Sequence, residues 1–157
     1  MRRSITSLAI ALLAMGGAAV STTPAAAAPP TCNAVKAVPG AGGYPLKALV
    51  YSGTGSTTCA LQQGNSGAAV KELQIALNKC FYLAYDRTAK YWPLKEDGDF
   101  GDNTRKALTE AQDYFTNVPA DIDGVYGPIT RDLLLWRAQN HNGCWYFGTI
   151  NAKGSAS

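Results

Sequence analysis

Two stretches of this chain are near copies of one another. Residues 97–108 read DGDFGDNTRKAL and residues 123–134 read DGVYGPITRDLL. At an offset of 26 residues, Asp, Gly, an aromatic, Gly, Thr and Arg recur in the same order. Each position has a physical reason. Asp97 and Asp123 suit Asx turns, in which the carboxylate accepts from a backbone N–H two residues on. Gly98 and Gly124 tolerate positive φ. Phe100 and Tyr126 tuck an aromatic ring beneath the turn. Gly101 and Gly127 stand at a helix start, with Thr104 and Thr130 in the first turn. Each copy therefore reads as a turn that launches a helix. Asp97, Asp99 and Asp102 also raise a calcium loop, but an EF-hand needs Gly at the sixth position and Glu at the twelfth. Counted from Asp97, Gly101 is fifth and Leu108 is twelfth, so no metal site is expected.

The helices follow from periodicity. Val70, Leu73, Gln74, Leu77, Cys80 and Phe81 make the stripe of an amphipathic helix over 67–80. Thr104, Ala107, Leu108, Ala111 and Phe115 mark a second, 102–116, with Pro119 beyond its end. A third is predicted over 128–141, opened by Pro128, carried through Leu133, Leu134 and Trp136, and stopped by Gly143. A loop holding Tyr85, Tyr91, Trp92 and Pro93 joins the first helix to the first turn. The expected core is Val70, Leu73, Leu77, Phe100, Leu108, Phe115, Leu133 and Leu134. The predicted fold is all-α: a small three-helix bundle with two Asp-Gly-x-aromatic-Gly turns, disulfide-stabilised, behind an irregular N-terminal lead. That lead, residues 28–60, is punctuated by Pro29, Pro30, Pro39, Pro45 and several glycines, with at most one short strand at Leu49-Val50-Tyr51.

Residues 1–27 read as a secretory signal peptide: Arg2 and Arg3, an apolar run from Leu8 to Val20, then Ala25 to Ala28, with cleavage expected after Ala27. The apolar run is too short for a span of ~20 residues. The mature chain is expected to be exported, free of the membrane and monomeric. Of 14 Lys+Arg, the signal holds two and none of the 11 Asp+Glu, so the mature net charge is 12 minus 11, or +1. With no Lys/Arg run, nucleic acid is not an expected partner. Four cysteines in an exported chain imply two disulfides. Pairing Cys59 with Cys80 would join the two ends of the first helical stretch, about 21 Å for 14 residues at ~1.5 Å each, beyond bridging distance. Cys32–Cys59 with Cys80–Cys144 is preferred, since the ends of helices one and three can meet in a bundle. Cys32–Cys80 with Cys59–Cys144 remains open, and would need the lead to cross the bundle.

The stretch LQQGNSGAAVKELQIAL at 61–77, followed by the two turn blocks, resembles the type 1 peptidoglycan-binding domain. The family's opening pattern falls on Leu61, Gly64, Gly67, Val70, Leu73 and Gln74. The resemblance covers about residues 61–140 and implies a three-helix module that binds murein without covalent chemistry. It sets the domain at 61–147, with a flexible tail at 148–157. The sequence departs from the family in a long first loop, in the added cysteines and lead, and after the second helix. There the family's Phe-Gln is missing and the nearest equivalents are Gln112 and Phe115.

Murein offers sugar faces, amides and carboxylates. Exposed aromatics stack on sugars, and Arg holds carboxylates with a planar fork. The candidate ligand residues are Tyr91, Trp92, Arg105, Tyr126, Arg131 and Trp136. A zinc peptidase needs several His and acid ligands, and His141 is the single His. A glycosidase needs two carboxylates at fixed separation, whereas Glu72, Glu96 and Glu110 fall where helix surface or loop is expected. No cofactor and no catalytic residue is predicted. The expected function is a secreted, non-catalytic binder of peptidoglycan, extracellular or cell-wall associated. The alternatives are an exported interaction or inhibitor protein on the same scaffold and, behind it, a cell-wall hydrolase.

Overall fold

A computed structural model describes residues 27–83 and 87–148. The expected signal peptide, apart from Ala27, and the tail beyond Gly148 lie outside the described residues. Strands β1 (Ala34–Pro39) and β2 (Pro45–Val50) come first. Helices α1 (Ala68–Ala76), α2 (Asp102–Phe115) and α3 (Pro128–Leu133) follow, and strands β3 (Trp136–Arg137) and β4 (Cys144–Trp145) close the order. Among the described residues the fold is thus three helices and two small antiparallel sheets, which overturns the all-α expectation.

The first correction is the lead. β1 and β2 pair antiparallel from Ala34↔Val50 to Pro39↔Pro45. The prolines and glycines that look like scattered punctuation concentrate in the loop of one hairpin, Pro39 to Pro45. A proline cannot donate to a ladder, and here two of them face each other where the ladder meets the loop. Leu46, Ala48, Leu49 and Val50 are buried, Leu46 and Leu49 within the main core cluster.

The second correction is the third helix. It ends at Leu133, and Leu134 is already extended at φ −83°, ψ 156°. The apolar run 133–136 would spread around a helix. Extended, it turns Leu134 and Trp136 inward, and the Trp136 indole N–H donates back to the Arg131 carbonyl at 2.8 Å. β3 then pairs with β4 as Trp136↔Trp145 and Arg137↔Cys144. His141 consequently sits in a hairpin loop rather than at a helix end.

α1 continues from Leu77 to Tyr82 in a wider π-helical turn, so the predicted helix runs two residues beyond 80. One contiguous core joins the hairpin to the helices through Leu46, Leu61, Val70, Leu73, Leu77, Phe100, Leu108 and Trp136. Of the expected core, Phe115 and Leu133 are not fully buried. The disulfides pair Cys32 with Cys59 and Cys80 with Cys144. Loop-closure entropy over 27 and 64 residues makes these worth about 3.5 and about 4 kcal/mol. The longer one pins β4 to the end of α1.

Candidate functional site

Both turn blocks are clamped to the segment that precedes α1. Leu61 and Tyr126 exchange backbone hydrogen bonds at 2.9 and 2.8 Å. The N–H of Gly64 donates to the Phe100 carbonyl, and that of Gly67 to the Gly98 carbonyl, both at 2.9 Å. Gly64 and Gly67 hold φ of +94° and +112°, so the glycine spacing of the opening pattern serves this clamp.

Inside each turn sits a buried glutamine. The Gln74 amide N–H₂ donates to Asp97 Oδ1 (3.0 Å), the Asp99 carbonyl (3.0 Å) and Thr104 Oγ1 (3.2 Å), while its carbonyl oxygen accepts from Gly98 N–H (2.8 Å). Gln112 repeats the set with Asp123 Oδ1 (3.1 Å), the Val125 carbonyl (3.1 Å), Thr130 Oγ1 (3.0 Å) and Gly124 N–H (2.8 Å). The Asx turns close at 3.0 Å from Asp99 N–H and 2.8 Å from Val125 N–H. The duplication is therefore a helix bearing a buried Gln followed by a Gln-locked turn. Gln112, which in the sequence looks like a misplaced remnant, holds the second lock.

The Asp99 N–H, and behind it the Gln74 amide, hold the Asp97 carboxyl down at about 2. A carboxyl depressed on folding stabilises the fold in its ionised form. That contribution is complete above the unfolded pKa near 3.9 and is lost as pH falls toward about 2. Asp102 adds a smaller change of the same sign, lowered by Lys106 and Arg105. Thermal unfolding followed from pH 5 to pH 2 should therefore lose stability steeply in the wild type and less steeply in Asp97→Asn. Equal slopes would show that the lock does not depend on the charge.

The six ligand candidates divide between the two turns. Tyr91 lines a groove of about 350 Å³ over the first turn, with Lys95, Asp97, Asp99, Asp102 and Asn103. Lys90 and Lys106 stand 5.5 and 5.4 Å from its ring centroid. Arg105 is half-buried and bound to Asp102 at 3.1 Å. Trp92 is turned inward at 9 % exposure, packed on Phe81, with its indole N–H on Glu110 at 3.1 Å. Tyr126 and Trp136 are fully buried, edge to face at 5.6 Å. Burial pushes the Tyr126 phenol well above its ordinary range. Arg131 grips Asp132 at 2.7 and 2.8 Å, donates to Thr57 at 2.7 Å and covers Phe147. Of the six, Tyr91, Arg105 and Arg131 are half-buried and keep part of their surface accessible, whereas Trp92, Tyr126 and Trp136 are buried.

The carboxylates weighed for catalysis are structural acceptors. Glu72, expected at the surface, is buried and bonded to Arg137 at 2.8–3.0 Å. Glu110 receives Trp92, and Glu96 receives the Asn78 amide at 3.1 Å. Among the described residues no three His, Cys, Asp or Glu side chains gather as a metal site, and no helix is long and apolar enough to cross a membrane.

A family model described as "Putative peptidoglycan binding domain" matches residues 66–134. No curated protein and no solved structure matches the chain. The matched segment runs from the clamp before α1, through both Gln-locked turns, to the end of α3, and these residues belong to the type 1 peptidoglycan-binding domain family.

Proposed function

We propose that this chain is a secreted, non-catalytic binding protein for cell-wall peptidoglycan, exported by the signal in residues 1–27 and working as a monomer through residues 61–147. The family membership of residues 66–134 carries the reading. Two further features support it. Glu72, Glu96 and Glu110 each accept a hydrogen bond from a neighbouring side chain, a structural use of the carboxylates. Two disulfides suit an oxidising compartment. Tyr91, flanked by Lys90 and Lys106 beside the first-turn groove, is the contact we assign within the family segment.

The mature protein, with both disulfides formed, should sediment with purified sacculi and release no soluble muropeptide on prolonged incubation. Release of muropeptides would make it a hydrolase. Absence of retention, together with co-purification of a protein partner, would favour an exported interaction protein on the same scaffold.

A further inference from the structure

The two hairpins meet outside the matched segment, and their seam borders an open cavity of about 700 Å³. Backbone bonds join them: Gln139 N–H to the Pro45 carbonyl at 2.8 Å and Ala41 N–H to the Tyr146 carbonyl at 3.0 Å. Leu46 and Ala138 form an antiparallel bridge between the sheets. Three kinds of chemistry gather at this seam.

The first is charge. Lys47, Lys79 and Arg137 line the cavity, and among the described residues no acid does. Arg137 is neutralised by its fork on Glu72. Lys47 and Lys79 line the same space and make no ion pair among the described residues. The second is hydrogen bonding: Gln139, Asn140 and Asn142 supply amide donors and acceptors. The third is an aromatic shelf at the rim. Tyr44, His141 and Trp145 are in mutual contact, with centroids 4.5 Å (Tyr44–Trp145), 4.9 Å (Tyr44–His141) and 5.0 Å (His141–Trp145) apart. Tyr44 is 38 % exposed and His141 is exposed, while Trp145 is half-buried against the core, so the shelf shows Tyr44 and His141 to solvent. Its geometry is built in. A Cβ on Gly143 would lie 2.1 Å from the Trp145 ring, so only glycine lets that ring lie across the strand. Cys80–Cys144 anchors the same strand to α1.

We infer that this seam is a second binding site, which takes a saccharide carrying a carboxylate on a short peptide substituent. A sugar ring rests on the exposed side of Tyr44, the carboxylate of its substituent reaches Lys47 and Lys79, and its hydroxyl or acetamido groups meet the amides. The inference rests on the wall-binding reading and deepens it. The lead and the C-terminal hairpin then have a role the family segment lacks, since between them they supply every named contact except Lys79.

The test uses the full mature chain with both disulfides formed and follows the Trp145 indole and backbone amides by NMR titration. The probes are N-acetylmuramyl-L-alanyl-D-isoglutamine, the free dipeptide L-alanyl-D-isoglutamine, and neutral chitotetraose. The muramyl probe should shift Trp145, Gln139 and Asn142, and the dipeptide and the neutral sugar should each bind at least about tenfold more weakly. The double variant Lys47→Gln/Lys79→Gln should lose about tenfold in affinity for the muramyl probe, Tyr44→Ala a similar amount, and Lys47→Arg/Lys79→Arg should retain binding. The two lysines form no ion pair among the described residues, so the lysine variants should melt as the wild type does. Equal affinity for chitotetraose, or an unshifted Trp145, overturns the proposal. Sacculus binding by the wild type distinguishes the two readings. If it persists while the seam stays silent, the wall-binding function stands without this site. If it is absent, the functional reading fails as well.

Discussion

Glu72→Ala is expected to cost about 2–4 kcal/mol of stability, roughly 10 °C in melting temperature for a domain of this size. Glu72 and Arg137 lie 65 residues apart and join α1 to β3 through three contacts of 2.8–3.0 Å. Their side chains keep only 8 % and 18 % of their exposure. Removing one member of a buried pair costs about 3–5 kcal/mol, because the other is left charged without a partner. The partial exposure of Arg137 lets water recover some of that, hence the lower figure. Replacing both, as Glu72→Leu with Arg137→Met, should restore much of the loss, since the desolvation of two charges is then avoided as well. Denaturant unfolding measures both. A single-variant loss below about 1 kcal/mol would mean that the pair is as weak as a surface one.

That pair also shows where a sequence stops being legible. α1 and α2 are readable because helical period is local and each stripe points to its own buried face. The turn blocks are readable because Asp-Gly-x-aromatic-Gly names its own backbone geometry. Glu72 is not, since nothing near it in the chain marks Arg137 as its partner. Trp136 and Arg137 follow an apparently helical run, and only the need to reach Tyr126 and Glu72 draws them into a strand. The lead resists reading for a different reason. Its prolines and glycines look diffuse, whereas their concentration between two short apolar runs, AVKAVP and PLKALV, is the pattern of a hairpin with its loop. Of the candidate site, aromatic character is legible but exposure is not. Trp92, Tyr126 and Trp136 are aromatic for the core, while the exposed Tyr44 and the half-buried Trp145 against it stand in segments that look structureless.

The glutamine locks are half visible. Val70-x-x-Leu73-Gln74 and Leu108-x-x-Ala111-Gln112 share a pattern, but the first loop is longer, so the helices repeat at a different offset from the turns. Matching both offsets exposes the unit. The structural equivalence carries a sharp prediction. Gln112→Glu changes one amide nitrogen to oxygen and almost no volume. Gln112 is fully buried, and that nitrogen faces Asp123 Oδ1, the Val125 carbonyl and Thr130 Oγ1 at 3.0–3.1 Å. A carboxylate there meets another carboxylate and a carbonyl where it needs donors. The expected cost at neutral pH is about 3–5 kcal/mol. The sign of its pH dependence follows. The carboxyl introduced by Gln112→Glu, buried in the fold, would have a raised pKa. The deficit is then complete above that pKa and shrinks as pH falls toward the unfolded value near 4.3. Protonated, the new side chain donates one hydrogen bond in place of the lost N–H groups. Unfolding free energies at pH 7.5 and pH 4.5 should therefore converge on the wild type at the lower pH, above the range in which Asp97 begins to titrate. Gln74→Glu, facing Asp97 and the Asp99 carbonyl at 3.0 Å, should behave in the same way. A variant stable at pH 7.5, or a deficit that does not shrink on acidification, would show that the turn tolerates the charge and that the amide is not what locks it.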